Sequence, residues 1–416
     1  MIYNVIVNNN TRKKRIAIIA DYLTVSGGAQ RQTLMLADSL VKEGCVVVIY
    51  CIALSNDCFP EIAKKLTIKP IVSGNIQIPS IPSDWNFIKR LITLVRNIIS
   101  ENNYYKKVAY MLSKDNHVKP YDSITIHDSK ALPIVHYLNK LPKPSWLMND
   151  SPFFIDYITK GYGKLANNFV IRAIAAVITV WFILFVISKI GNIIVLDKRN
   201  QKIVKKYFKI KAHIVRSGLN FHKHKIRENR KKVKYIKVLT VNIFFPHRRY
   251  EDIVEAAVIL RSDNRMLFNK LRFVFIGKTI HDDGYAKLIK QMVIDNNLQD
   301  KFEFIESVTE KELCEHYLDS DIFLYPNHNQ TWGLAVFEAM SHGLPVIVSK
   351  TSGASEVLKN NYNAILIREK SPKSIVDAIK KLSLKRNSNI IAKNGKYFVK
   401  KNISWSRFSK QVLNLL

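Results

Sequence analysis

A short β-rich run, a turn and an amphipathic stretch recur along this chain, and that alternation leaves few folds open to it. Arg15 to Ala20 leads into Gly27 and Gly28, after which Thr33, Leu34, Ala37 and Val41 share one helical face. A second apolar run, Val46 to Leu54, follows Gly44. Strand, helix and strand in that order predict a parallel sheet. The pattern resumes late in the chain, with strand-like runs at Ile236 to Val241, Leu271 to Gly277, Phe302 to Ile305, Ile322 to Tyr325, Pro345 to Ser349 and Ala364 to Ile367. Thr309 with Glu312 has the spacing of a capping box, and Ser371 followed by Pro372 reads as an N-cap and first helical residue.

Two such sheets are expected, because 416 residues exceed the ~250–300 at which one core stops growing. Between them VRSGLNFHKHKIRENRKKVKYIK has the polarity of a connection, which puts the boundary near Gly218. The expected division is 1–217, with about 13 disordered residues at its start, then 218–390, then a terminal helix over 391–416 that crosses back to the first lobe. His222 and His224 lie in the connection without acidic or thiol companions and read as exposed linker residues, so no metal site is expected.

The charge balance narrows the partners: 65 Lys and Arg against 33 Asp and Glu leave a net +32. Such a surface either solvates the chain or gathers something anionic, whether nucleic acid, an acidic leaflet or a phosphorylated substrate. No zinc-finger or aromatic nucleic-acid motif accompanies the charge, so no specific nucleic acid is expected. Cys45, Cys51, Cys58 and Cys314 show neither CxxC pairs nor zinc spacing, and MIYNVIVNNNTRKK carries no secretory pattern, so reduced thiols and a cytoplasmic body are expected. Two segments bear on membranes. Ile88, Leu91, Ile92, Val95, Ile98 and Ile99 form a stripe beside Lys89, Arg90 and Arg96, suited to packing on the sheet or to a membrane or acceptor surface. AIAAVITVWFILFVI, from Ala173 to Ile187, is shorter than the ~20 residues that span a bilayer. It reads as a helix dipping into one leaflet, with a buried helix or a true span as the alternatives.

In parallel sheets ligands bind beyond the carboxyl ends of the strands. The richest such place follows Tyr325 and reads PNHNQTWGLAVFEAMSHGLPVIVSKTSGASEVL. Gly333 opens a helix whose first amides are available to an anion or a sugar hydroxyl, and Glu338 lies on that helix, where a carboxylate can accept from two adjacent ribose hydroxyls.

This segment resembles the signature of glycosyltransferase family 4, two acidic positions separated by seven residues, and the resemblance runs from the first strand to Ser404 and Trp405, weakest from Pro60 to Asn116. It implies a GT-B fold, an α/β architecture of two Rossmann-like, doubly wound parallel-sheet domains facing across a cleft. It also implies a retaining transferase that uses a nucleotide-diphosphate sugar and needs no metal or other cofactor. Glu338 would bind the ribose, while Trp332, Gly333 and Leu334 would present backbone to the donor. Gln330 stands where the family has Glu, and an amide both donates and accepts. In VNIFFPHRRYEDIVEAA, Ile243 replaces the family Arg, Arg248 occupies the Lys position and Arg249 follows, so arginines would grip the diphosphate. Gly27 and Gly28 in SGGAQRQ match the glycine-rich loop, His127 in YDSITIHDSK matches a histidine near the transferred sugar, and Asn149 and Asp150 fall on the acceptor side.

On this resemblance the leaving diphosphate helps deprotonate the acceptor, and Arg248, Arg249 and helix amides stabilise its charge. The basic stripe, the apolar run and the net charge together point to a lipid-linked or other saccharide acceptor at an anionic membrane, with the protein peripheral on the cytoplasmic face. Another GT-B enzyme, an epimerase or a phosphorylase, or a non-catalytic basic binding protein are the alternatives.

Overall fold

The computed structural model describes residues 12–25, 27–74, 87–150, 184–221, 235–279 and 283–416, together with positions 152, 155, 177 and 180–182; at 87–99 and 283 it describes the backbone alone. The expected disorder at the start falls on residues 1–11, and His222 and His224 fall within 222–234, all outside the described residues. Two compact units emerge, one drawn from Met1–Pro152, Val177–Ile194 and Ser409–Leu416, the other from Phe153–Ala176 and Val195–Phe408.

The first unit carries β1 (Arg15–Ile19), β2 (Tyr22–Leu23), α1 (Gly28–Lys42), β3 (Val46–Leu54), β4 (Thr67–Ser73), α2 (Phe87–Val118), β5 (Ser123–His127), β6 (Ser145–Met148) and β7 (Ile193–Val195). Its strands lie in the order β2-β3-β1-β5-β6-β7, with β4 also paired to β3. Pairing is parallel, with Ile18 opposite Ile49 on one side and Thr125 on the other. Ile16, Ala17, Ile18 and Ile19 are fully buried, as expected of a strand covered on both faces. β4 was not legible as a strand: TIKPIVS is half-buried and interrupted by Lys69 and Pro70, and proline is confined to positions that need no ladder donor.

The second unit begins with α3 (Lys198–Ile203) and β8 (His213–Ile214), then continues through β9 (Ile236–Val241), α4 (Tyr250–Asp263), β10 (Leu271–Ile276), α5 (Asp283–Asp295), β11 (Phe302–Ile305), α6 (Glu310–Asp319), β12 (Ile322–Tyr325), α7 (Leu334–Ser341), β13 (Val346–Ser349) and β14 (Ile365–Ile367). Helices α8 (Pro372–Ser383), α9 (Lys385–Asn402) and α10 (Trp405–Leu413) close the chain. Six parallel strands run β11-β10-β9-β12-β13-β14. Leu271 pairs with Ile236, Phe323 with Leu239 and Leu324 with Ile347. Aromatic packing fills the face of β9 and β10: Phe275 lies 4.8 Å from Tyr250 and 5.4 Å from Phe302, ring to ring. Thr240, buried in the central strand, satisfies its hydroxyl on the Leu324 carbonyl at 3.1 Å. The capping box at Thr309 and Glu312 forms, and Ser371 accepts from the Ser374 amide ahead of α8.

The division falls at Ile194/Val195 rather than at the boundary of 217/218 expected from composition. The basic run is not where the units part, because the segment after β7 is tied to the second unit. The Lys198 amide donates to Glu356 at 2.9 Å, and Asn200 reaches Thr331 at 3.3 Å. Of the terminal helix, Ser409–Leu416 belongs to the first unit. Ser409 meets Ser39 at 2.9 Å, and the carbonyls of Leu415 and Leu416 accept from Asn192 and Ser123, each at 2.7 Å.

The two membrane-related segments are described in part. The stripe from Ile88 to Ile99 lies on α2, with its side chains outside the described residues. Of the run from Ala173 to Ile187, Val177, Val180, Trp181, Leu184 and Phe185 are exposed, whereas Phe182, Val186 and Ile187 are buried. Phe182 packs edge-on against Trp146 at 6.3 Å. Among the described residues no helix is long and apolar enough to cross a membrane.

Candidate active site

In the second unit β9 has β10 on one side and β12 on the other, so the connections leaving β9 and β12 depart in opposite directions. That is the topological switch point, where a crevice opens beyond the strand ends. Two loops meet there, and sequence reading did not foresee how. Asn242 and Asn327 exchange amide hydrogen bonds at 3.0 and 3.3 Å, and the His328 amide donates to the His247 carbonyl at 2.8 Å. Asn242 also explains Gly277, since a Cβ there would sit 1.6 Å from the Asn242 carbonyl oxygen.

The first loop ends in a single 3-10 turn, Pro246–Arg248, with proline at its favoured first position. Arg248 donates from Nη1 to Oε1 of Gln330, so the two positions singled out in separate motifs touch. Arg249 does something different from the expected phosphate grip. It adopts φ +57 ahead of α4 and turns its guanidinium onto Asp252, with Nε and Nη2 at 3.1 and 2.6 Å from the carboxylate, and also pairs with Glu251. A guanidinium held bidentately by its own helix is committed there, so Arg248 is the arginine of the pair that faces the second loop. Ile243 offers that loop no charge.

The second loop positions its groups through Trp332, whose side chain is 2% exposed, stacks on Phe337 at 4.4 Å and donates from its indole to the Ser217 carbonyl at 3.0 Å. The indole is therefore a wedge, and backbone is what Trp332 can offer a ligand. Gly333 follows at φ +77, and a Cβ there would lie 3.1 Å from the Tyr325 ring, so both conformation and space call for glycine. It caps α7 with no side-chain hydrogen bond, and the leading amides of a helix have no intrahelical acceptor. Leu334 is the first residue of that helix. Glu338, one turn on and half-buried, accepts from the Tyr317 hydroxyl at 3.1 Å, and the Tyr317 ring stacks on His342 at 5.0 Å. Tyr317 had no signal in the sequence, because its partner is 21 residues away on another helix.

The first unit has its own switch point at β1, between β3 and β5. Gly27 caps α1 and Gly28 begins it, again without a side-chain cap. A Cβ on Gly27 would fall 2.6 Å from Gln30 Oε1. His127 ends β5 and is 1% exposed; its Nδ1 contacts Thr33 Oγ1 at 2.8 Å, and its Nε2 is buried with no hydrogen-bond partner. Burial drives its pKa down to about 3, so the ring is neutral at physiological pH. Asn149, just past β6, accepts from Gln32 and leaves its own Nδ2 buried without a partner, with half-buried Asp150 beside it. Two orphaned polar atoms beyond adjacent strand ends are the kind of exception a ligand accounts for.

Asp21, just beyond β1, was not anticipated. Burial, reinforced by the charge of Asp128, raises its pKa to about 8, and Tyr105 donates to it at 3.2 Å. A carboxyl whose folded pKa is raised contributes stability in full below its unfolded value of 3.8, and that contribution is lost as pH climbs through about 8. Asp21→Asn is therefore expected to flatten the decline in unfolding free energy between pH 4 and 8, measured by urea denaturation across that range. An unchanged slope would show that Asp21 is ionised in the folded protein.

Residues 222–410 match the family described as glycosyl transferases group 1. The chain is 28% identical over 168 residues to the O-antigen chain mannosyltransferase RfbU of Salmonella typhimurium, covering 39% of this chain and 44% of the relative. It is 24% identical over 150 residues to a D-inositol 3-phosphate glycosyltransferase of Geodermatophilus obscurus, covering 36% and 33%. The chain thus spans a third to a half of the length of these relatives. Among solved structures it is similar to Anabaena Alr3699/HepE in complex with UDP and glucose, with a TM-score of 0.69 at 12% identity over 96% of this chain and 98% of that one. A glycosyltransferase from Rickettsia africae gives 0.68 at 14% identity, over 97% and 98%. At such identities the likeness shows the fold, and that fold is GT-B.

Proposed function

We propose that the protein, whose residues 222–410 match the family described as glycosyl transferases group 1, transfers a sugar, most simply a hexose, from a nucleotide-diphosphate donor to a hydroxyl acceptor with retention of configuration. The observation that carries the reading is the crevice at the β9/β12 switch point, where Arg248 meets Gln330 beside a helix opened by an uncapped glycine and bearing Glu338. Each part has a task in such a reaction. Glu338 keeps one carboxylate oxygen on Tyr317, which fixes the orientation in which it accepts from ribose hydroxyls. Arg248 and the leading amides of α7 take up the negative charge that grows on the departing diphosphate. Gln330, held in place by Arg248, bonds a sugar hydroxyl through its amide.

In this reading the leaving phosphate deprotonates the incoming hydroxyl on the same face, so no protein nucleophile is called for, and neither is a metal or other cofactor. His127, neutral and with Nε2 unpartnered among the described residues, suits a sugar hydroxyl, because a neutral imidazole can donate or accept a hydrogen bond without bringing a charge. Asn149 serves the acceptor. HepE binds UDP and glucose in a chain of the same fold, which supports a nucleotide-sugar donor here.

The acceptor in this proposal is a lipid-linked glycan, approached by a protein peripheral on the cytoplasmic face of an anionic membrane. Val177, Val180, Trp181, Leu184 and Phe185 support it: they fall at helical spacing and are exposed together, on a chain of net charge +32. The mannosyltransferase RfbU acts on an O-antigen chain, which is a further support.

Thermal shift against UDP-, GDP- and ADP-sugars tests the donor site, since a ligand that binds the folded state raises its stability by mass action. One nucleotide sugar is expected to raise the Tm of wild type, with Glu338→Ala weakening its affinity at least tenfold, or about 1.4 kcal/mol. A folded protein that responds to none of them, or a variant that responds as wild type does, would contradict the assignment. Flotation with anionic vesicles tests the surface. Trp181→Glu with Phe185→Glu is expected to reduce vesicle binding severalfold without altering the nucleotide-sugar response, and unchanged flotation would remove this face from the account.

A further inference from the structure

A second cavity in the same unit belongs to none of the residues used so far. It encloses about 510 Å³ and is lined by Lys198, Arg199, Lys202, Lys206 and Lys350, with Ser352 at its wall. That volume falls within the range of small-molecule sites. Arg248, Gln330, Gly333 and Glu338 are not among its lining residues.

Its chemistry follows from how the cations are placed. Lys198, Lys202 and Lys206 recur every four residues, so α3 and the turn that continues it put three like charges along one face, where they repel one another. The continuation, Val204–Phe208, is a single π-turn, a distortion frequent at functional sites. One acid lines the cavity, Glu356, and its carboxylate is already engaged by Arg216 at 2.9 Å and by the Lys198 amide at 2.9 and 3.0 Å. Four lysines and Arg199 thus line the cavity with one carboxylate, which Arg216 already engages. Apart from charge, Ser352 is 2% exposed, and its hydroxyl is buried with no hydrogen-bond partner among the described residues. It precedes the short helix Gly353–Val357 without capping it by its side chain. A hydroxyl left unpaired in the wall of a cationic cavity suits a ligand that brings its own acceptor oxygens. Ile203 and Tyr207 complete the wall and give an apolar surface for the rest of such a molecule.

We propose that this cavity is an anion site for a phosphate ester of small-molecule size, separate from the donor pocket. The ester is either a soluble sugar phosphate or the head group of a phospholipid, since both present the same oxygens. The site adjoins the donor loop: Asn329 lines the cavity, the Gly353 amide donates to the Gln330 carbonyl at 2.8 Å, and Arg199 donates to the Asn329 carbonyl. Its occupant is therefore placed to stiffen the loop that carries Gln330.

The test is calorimetric titration with inorganic diphosphate at 0.15 M ionic strength, roughly physiological, using full-length protein carrying Arg248→Ala so that the donor pocket contributes little. Saturable binding at one site is expected. Lys202→Glu with Lys206→Glu, on exposed side chains whose reversal leaves the fold intact by circular dichroism, is expected to weaken it at least tenfold, and Ser352→Ala severalfold. Reversing the same charge at exposed Lys64 and Lys65 is expected to change it less than twofold. Equal losses in both charge-reversed proteins would show general charge attraction and overturn the proposal, as would an absence of binding in the parent. Glucose 6-phosphate and vesicles containing phosphatidic acid then separate the two sources, because whichever binds must lose that binding in the Lys202/Lys206 protein. Glu338→Ala is expected to leave diphosphate binding unchanged, so a failure of the donor reading and a failure of this one give different results.

Discussion

The second unit depends on one constraint: β9 is entered first and its neighbours are added on opposite sides, β10 one way and β12 the other. Parallel strands that diverge from a common centre leave their two exit loops side by side with no helix above them. The groups of this unit proposed for the donor come from those two loops and from the start of α7. The Asn242–Asn327 amide pair and the His247–His328 backbone bond hold them at a fixed spacing, and Arg248 and Gln330 face each other as a result. The wedge of Trp332 and the left-handed Gly333 then aim the start of α7 at the same place. The site is thus a property of strand order, and the charged groups are placed by it.

The first unit repeats the device around β1 with different chemistry. There the strand ends carry neutral polar groups: His127 held neutral by burial, Asn149 with an unpartnered amide, and Asp21 pushed toward its protonated form. In the second unit the group beyond the strand ends is instead a cation, Arg248, set against Gln330.

Much of the fold was legible because its evidence is local. Ile236–Val241, Phe302–Ile305 and Ile322–Tyr325 are continuous apolar runs bounded by turn residues, and a buried parallel strand leaves that mark whatever surrounds it. β4 escaped because an edge strand tolerates Lys69 and Pro70 and so loses the mark. The boundary near 217 was misplaced for a related reason: a basic run looks like a linker, whereas the segment after β7 is fixed by Glu356 and Thr331 from far along the chain. The same limit governs the site. The sequence could point to the loops that carry Arg248, Arg249, Gln330 and Glu338, but not to which partner each would choose. Arg249 is drawn to Asp252 three residues on, Glu338 is steadied by Tyr317, and the five cations around Ser352 converge only once α3 lies against the loop after β13.

The account rests most directly on Arg248 and Gln330 acting together on the donor. A double-mutant cycle on donor affinity reads that coupling, using Arg248→Ala, Gln330→Ala and the pair, titrated with whichever nucleotide sugar binds wild type. If the two hold the ligand as a unit, each single substitution weakens binding tenfold or more, and the double is little worse than the more damaging single, a departure from additivity of about 1.4 kcal/mol or more. Losses that simply add, or singles that bind as wild type does, would contradict it and place the donor away from the β9/β12 crevice.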